Sequence, residues 1–330
     1  MATTSVMHTV LVPVKQGQQE IFQQDVIRGL STKNKYLDAK YFYDAEGDRL
    51  FQEIMHCHEY YLTDCEMEIL QQQSAAICKT ILAYTRRFDI VELGAGDATK
   101  SIHLLQELSR TNIDFTYYPV DISGNVIALL EKTLPTHLPE LKIHGLHGEY
   151  FDMLQQARIL SSKNKVVLCM GGNIGNFTPA EARKFCAQLR HYLQPGDIVI
   201  TGFDLKKHPQ IILDAYNDTA GITRNFNLNL LQRINRELGG NFDLTKFGHF
   251  PTYDPGTGAC KSYLISLDEQ DVQIGTYTFH FDLHECLYME ISQKYDLESA
   301  SQLGIQSGFK TVANFFDSKR WFTDSMWLCV

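Results

Sequence analysis

The chain has no C-x-x-C pair, no run of basic residues and no apolar run near the length of a membrane span. Each absence excludes something. Eight cysteines scattered over 330 residues predict reduced, mostly buried thiols in a cytoplasmic protein rather than a disulfide framework. His56-Cys57-His58 with Cys65 offers an H-x-H pair but only one plausible further partner, so no metal site is expected. A formal charge of −9 without a basic face argues against a nucleic-acid partner. Without an apolar stretch of about 20 residues no membrane span is expected. The first ten residues lack a charged region followed by an apolar one, so no signal peptide is expected. Internal repeats and low-complexity segments are also missing. Apolar content of 44% and charged content of 21% suit a soluble chain with one large or two modest domains.

The most informative stretch is Asp89-Ile-Val-Glu-Leu-Gly-Ala-Gly-Asp-Ala-Thr-Lys-Ser101. Its first residues read as a short buried strand, Gly94 and Gly96 as a tight turn, and Ala98 to Leu108 as a helix. Strand, glycine turn and helix N-terminus make a cradle in which a nucleotide-like ligand can lie against bare backbone. The next strand, Phe115 to Asp121, ends in an acid where such folds hold ribose hydroxyls. The third glycine of the dinucleotide fingerprint is missing, because Thr99 stands there. A purely structural glycine turn is the alternative. A second glycine-rich stretch, Met170-Gly-Gly-Asn-Ile-Gly-Asn-Phe-Thr-Pro179, suits either a capped turn or a zwitterionic small molecule, since asparagine both donates and accepts.

From Thr63 the spacing predicts a long helix to Ile81, with a stripe of Met67, Ile69, Leu70, Ala75, Ile77 and Ile81. Strands at 90–93, 115–120, 141–146, 166–170 and 197–201 then alternate with helices at 101–108, 125–134, 151–159 and 179–193. That alternation implies a parallel doubly wound sheet, whose strand ends carry Gly94, Gly96, Asp121, Gly148-Glu149 and Gly171 to Asn176 on one rim. Residues 1–18 read as a poorly ordered arm and Ile21–Leu30 as a helix. Residues 208–237 read as helical with a break near Gly221, and 247–286 as antiparallel, with a hairpin signal at Asp254-Pro-Gly-Thr-Gly258. A helix at 297–303 and a hydrophobic final strand close the chain. Tyr41, Phe42, Tyr60 and Tyr61 lie in an aromatic block that is either a surface closing over a ligand or ordinary core.

Several motifs in order resemble the S-adenosylmethionine-dependent, histidine-specific N-alpha-methyltransferases of ergothioneine biosynthesis. They are Tyr41-Phe-Tyr-Asp-x-x-Gly47, Glu59-Tyr-Tyr61, Val91-Glu-Leu-Gly-x-Gly96, Ile174-Gly-Asn-x-Thr-Pro179, Asp214-Ala-Tyr-Asn-Asp-x-Ala-Gly-Ile-Thr223, Phe226-Asn-x-Asn229, Asn235-Arg-Glu-Leu238, Asn241-Phe-Asp243 and Met289-Glu-Ile-Ser-x-Lys294. The resemblance implies an α/β fold: a class I, Rossmann-like methyltransferase sheet with a second α+β substrate-binding domain. The donor-binding domain would span 67–203 plus 291–330, and the substrate-binding domain 1–66 plus 204–290. It implies that Gly94, Gly96, Lys100, Asp121 and Glu149 bind S-adenosyl-L-methionine, with Asp121 on the ribose. Asn176 would hold the α-amine, Tyr43 and Tyr216 would flank the carboxylate, and Tyr60, Glu290 and Ser292 would read the imidazole. Gly171 would line the junction of the two ligands. The substrate is then a small amino acid, and a cytoplasmic monomer is expected. The alternatives are an N-methyltransferase of another amino acid or small amine, and a non-catalytic binding protein of the same fold.

The chain departs from the family pattern in four places. Leu62-Thr-Asp64 replaces Pro-Thr-Arg, and Gly171-Gly-Asn173 replaces Gly-Ser-Thr or Gly-Ser-Ser. Glu149 replaces an adenine-facing Asp, and Ser262 aligns loosely with a pocket methionine. Asn173 and Ser262 leave the exact amino acid and the number of methyls open.

Overall fold

The computed structural model describes residues 14–330. Of the arm expected over residues 1–18, the first thirteen lie outside the described residues, and from Val14 the chain is already in helix α1 (Val14–Leu30). Two compact units form. One holds Met55–Asp218, Thr252–Cys260 and Ile291–Val330; the other holds the described residues up to Ile54 with Thr219–Pro251 and Lys261–Glu290.

The larger unit is built on an eight-stranded sheet. In chain order its strands are β1 (Phe88–Leu93), β2 (Thr116–Asp121), β3 (Lys142–Ile143), β4 (Leu146–His147), β5 (Asn164–Cys169), β6 (Ile198–Asp204), β12 (Phe309–Phe316) and β13 (Phe322–Cys329). Their spatial order is β12-β13-β6-β5-β1-β2-β3, with β4 also on β2. The strands from β6 through β3 pair in parallel, and β13 enters antiparallel between β6 and β12. The strand expected at 141–146 is interrupted, because its two halves pair with different stretches of β2. Every residue of β1 and β6 is buried, as expected of strands covered on both faces.

Helices cover both faces: α3 (Tyr61–Tyr84), α4 (Ser101–Ser109), α5 (Gly124–His137), α6 (Tyr150–Leu160), α7 (Pro179–His191), α8 (Pro209–Ala215) and α10 (Leu297–Gln306). Helix α7 starts where a complete capping box at Thr178 and Glu181 satisfies its first amides. Helix α3 is longer than the spacing predicts, and its buried stripe runs through Leu62, Cys65, Glu66, Ile69, Leu70, Ser74, Ile77, Cys78 and Ile81. Met67 is only half-buried and Ala75 is exposed. Tyr61, Leu62 and Cys65 belong to the sheet's core. This is why the sheet unit begins at Met55 and also keeps residues 204–218, which the sequence reading grouped with the other domain.

The smaller unit holds α1, most of α2 (Ala45–Met55), α9 (Ile222–Leu238) and the hairpin of β9 (Gln270–Ile274) with β10 (Tyr277–Phe281). A three-stranded sheet has the order β11-β8-β7, from β7 (Phe247–Asp254), β8 (Ala259–Ser266) and β11 (Cys286–Gln293). The turn signal at Asp254–Gly258 lies between β7 and β8. Within the smaller unit Asp44 ties α2 to α9, accepting from Gly47 N and Asn229 Nδ2, both at 2.8 Å, and from Arg236. Six of the eight free cysteines are buried; Cys57 is half-buried and Cys286 exposed. Among the described residues no helix is long and apolar enough to cross a membrane, and no group of three or more potential ligands forms a metal site, His56-Cys57-His58 included.

Candidate active site

Two turns at the C-terminal ends of parallel strands of the larger unit, and a third group around Tyr216, carry most of the predicted residues. The first follows β1. Gly94 has φ +74°, and its amide and that of Ala95 both donate to the Val120 carbonyl at 2.9 and 3.1 Å. A Cβ added at Gly94 would lie 2.8 Å from the Tyr150 hydroxyl, so this position needs glycine for space as well as for conformation. The Gly96 amide donates to Asp121 Oδ2 at 3.3 Å, and Asp121 Oδ1 accepts from Ser123 N at 2.9 Å. Glu149 is exposed at the start of α6, one residue after Gly148, whose amide bonds the Asp121 carbonyl at 3.0 Å. Burial, then the Asp121 charge, pushes the Tyr150 hydroxyl up to about 12.

The second turn follows β5. Gly171 and Gly172 both take positive φ, +77° and +66°, and lead into a short 3-10 turn, Asn173–Asn176. The Gly171 amide donates to both oxygens of Glu66, at 2.8 and 2.9 Å. Glu66 is fully buried on α3 and also accepts from Lys100 Nζ. Burial alone would push the Lys100 ammonium down; Glu66 outweighs it and holds it above the usual lysine range. A Cβ on Gly202 would lie 2.5 Å from Glu66 Oε1, which explains a glycine in the middle of β6. Gly202 pairs with Asp324 of β13. Burial, then the Glu66 charge, pushes the Asp324 carboxyl well up, and its oxygens make no hydrogen bond of ordinary geometry among the described residues. Glu92, at the end of β1, accepts from the buried Tyr117 hydroxyl, and burial raises its carboxyl to about 7.

The third group lies around Tyr216. The Tyr216 and Ser292 hydroxyls are 2.6 Å apart, and the Tyr60 ring meets the Tyr216 ring edge-on at 6.1 Å. The 171–176 turn reaches toward both groups. A Cβ at Gly171 would stand 3.7 Å from the Asn173 side chain and 3.8 Å from Lys100 Nζ; one at Gly94 would stand 3.7 Å from Asn173; one at Gly175 would stand 3.7 Å from Ser292 Oγ. The structure therefore brings Gly94, Lys100 and Gly171 to one end of the turn, and Ser292 and Tyr216 to the other. Asn176 is exposed at the turn's end.

Tyr43 and Glu290 belong to the smaller unit. The Tyr43 ring is 47% exposed and packs edge-on against Phe51 at 5.7 Å and Phe226 at 5.8 Å. Burial alternates along β11, with Glu290 and Ser292 on its half-buried side. Ser262 is buried, its Oγ 3.0 Å from His249 Nε2. Of the aromatic block, Phe42 and Tyr61 are buried, Tyr41 and Tyr60 half-buried.

Sequence reasoning missed Glu66, Asp204 and Asp324, and gave Lys294, the last residue of a family motif, no role. Glu66 left a signal: it stands four residues from both Leu62 and Leu70, an acid on the apolar stripe of a helix.

The profile of a family described as "Histidine-specific methyltransferase, SAM-dependent" matches residues 22–329. A histidine N-alpha-methyltransferase of Mycolicibacterium smegmatis is 31% identical over 307 residues, covering 92% of each chain. One of Mycobacterium tuberculosis is 30% identical over 304 residues, covering 92% of this chain and 91% of that one. Ergothioneine biosynthesis protein 1 of Schizosaccharomyces pombe is 29% identical over 291 residues, covering 86% of this chain and 38% of that protein.

Proposed function

Because this chain belongs to the histidine-specific, S-adenosylmethionine-dependent methyltransferases, we propose that it methylates the α-amine of free L-histidine three times, giving hercynine. The observation that supports this most is the 171–176 turn, with donor-type residues at one end and the Tyr216–Ser292 hydroxyls at the other.

The residues of the first turn suit S-adenosylmethionine. Gly94 leaves bare backbone, Asp121 presents a carboxylate at the ribose position, and Glu149 keeps an acid at the adenine position. The unit built on the eight-stranded sheet is the donor-binding part. The bound donor supplies an electrophilic methyl on a sulfonium. What the chain must do is aim a nitrogen lone pair along the S–C bond. Orientation of that kind contributes roughly 7–11 kcal/mol in well-aligned cases. Asn176 holds the α-amine, Tyr43 and Tyr216 the carboxylate, and Tyr60, Glu290 and Ser292 the imidazole, with Gly171 at the junction. An ammonium has no lone pair, so the amine must react neutral. Proximity to a sulfonium in a buried site lowers its pKa, and no dedicated base is assigned. Each transfer breaks one S–C bond, forms one N–C bond and releases S-adenosylhomocysteine; the new ammonium loses its proton before the next.

Incubating the protein with S-adenosylmethionine and histidine should add one, two and then three methyl masses to histidine. Glu290→Ala should lose histidine turnover by at least a hundredfold with donor affinity intact. Equal turnover would remove Glu290 from the site.

A further inference from the structure

Lys294 is fully buried, immediately beyond β11. Its ammonium has three protons and three oxygen partners: Asp204 Oδ2 at 2.6 Å, the Tyr216 hydroxyl at 2.7 Å and Ser292 Oγ at 2.8 Å. It also stands 4.4 Å from the centre of the Tyr216 ring. The backbone holds this residue from both sides. The Lys294 amide donates to Gly258 O at 2.7 Å, and the Tyr295 amide to Asp204 O at 2.9 Å. Gly258 has φ +79°, and a Cβ there would lie 2.3 Å from the Lys294 carbonyl oxygen. The β7–β8 turn therefore ends in glycine where it passes Lys294.

A buried ammonium needs compensation for its lost hydration. Asp204 supplies the charge, and is itself shared with Lys207 and with the Tyr61 hydroxyl at 2.9 and 3.0 Å. Burial pushes the Asp204 carboxyl up, but Lys294 and Lys207 outweigh it and hold it below the usual range.

We propose that Lys294 is a positioning residue for the amino-acid substrate. It fixes the Tyr216 and Ser292 hydroxyls as one unit, in which one hydroxyl donates to the other and the second keeps its proton for a substrate acceptor. This rests on the reading above, in which Tyr216 serves the carboxylate and Ser292 the imidazole. Each hydroxyl oxygen spends a lone pair on Lys294, and the hydroxyl that accepts from its neighbour has both lone pairs filled, so only its proton is left for the substrate. A charge-assisted partner also strengthens the next hydrogen bond along the chain. The positive charge thus acts on a carboxylate without touching it. Arginine would not substitute, because its planar fork does not match three oxygens arranged around a tetrahedral ammonium.

The test uses the full chain with Lys294→Met, Lys294→Arg and Ser292→Ala, alone and combined. Histidine saturation kinetics, S-adenosylhomocysteine calorimetry and thermal melting are measured on each. Lys294→Met should raise the histidine KM at least tenfold, with Lys294→Arg failing to restore it and the Kd for S-adenosylhomocysteine within twofold of the parent. In the Ser292→Ala background the same substitution should cost much less, because part of its effect passes through Ser292. If Lys294→Met does not fold, Asp204→Asn with Lys294→Met removes both charges together, and should show the same KM rise. An unchanged histidine KM, or a loss equal in both backgrounds, overturns the proposal. A parent enzyme that binds donor but ignores histidine overturns the functional reading and this inference with it. A parent that turns over histidine, beside a Lys294 variant of normal KM, overturns this inference alone.

Discussion

Two buried charge clusters sit beside the rim of one sheet, and their balance is opposite. Around Lys100 stand three carboxyls, Glu66, Glu92 and Asp324. Around Asp204 stand two ammonium groups, Lys207 and Lys294. The acids respond accordingly. Glu92 is raised to about 7 and Asp324 well above the usual range, while Asp204 is held below it. Burial raises all three; the neighbouring charges decide the sign. Under the proposed function the difference has a use. The cation-rich cluster suits the carboxylate of a zwitterion, while the other, with Glu66 paired to Lys100 and two acids pushed toward neutrality, sets no net positive charge beside a cationic sulfonium donor.

Removing the anion paired with Lys100 should have the largest effect. Glu66→Gln strips a buried cation of its partner and turns an amide donor toward Lys100, a change that costs about 3 kcal/mol or more when a buried pair is broken. Affinity for S-adenosylhomocysteine should fall at least tenfold by calorimetry, with histidine KM changing less. Lys294→Met should show the reverse pattern. Two variants that lose both ligands alike would erase the contrast between the clusters.

Glu92 tests the contrast by pH. A carboxyl whose folded pKa is raised contributes stability that is complete below its unfolded value and is lost as pH rises toward the folded one. With a usual value of 4.5 and a folded value of about 7, the loss over that window is on the order of 3 kcal/mol. Glu92→Gln removes the titration. Its stability relative to the parent, from urea unfolding, should therefore rise between pH 4.5 and 7.5. A constant difference would mean that Glu92 titrates normally.

The smallest effect is expected at Asp324. Burial and the Glu66 charge favour the neutral form of Asp324, and an amide is close to that form in shape and charge, so Asp324→Asn should stay within about 1 kcal/mol of the parent at pH 7 and keep donor affinity. A collapse as large as that of Glu66→Gln would make Asp324 a working anion.

Much of this architecture was legible in the sequence, because strand and helix periods and glycine turns are local signals. The sheet, its rim and the positions of Gly94, Asp121 and Gly171 follow from them. The hydrophobic final strand is β13. What was hidden depends on partners far apart in the chain. Glu66 meets Gly171 across 105 residues, and Lys294 meets Tyr216 across 78. No local period encodes such pairs. Ala75 misled because alanine is apolar enough to join a stripe yet small enough to be exposed. The family motifs supplied Tyr216, Ser292 and Glu290 with roles, and carried Lys294 along without one.

The central claim is that one chain binds an activated methyl donor and free histidine together. Calorimetry with S-adenosylhomocysteine and each of the twenty amino acids addresses it directly. The account predicts a ternary complex with histidine and none of comparable affinity with the other nineteen. Tighter binding of another amino acid, or donor binding with no amino acid at all, would contradict it.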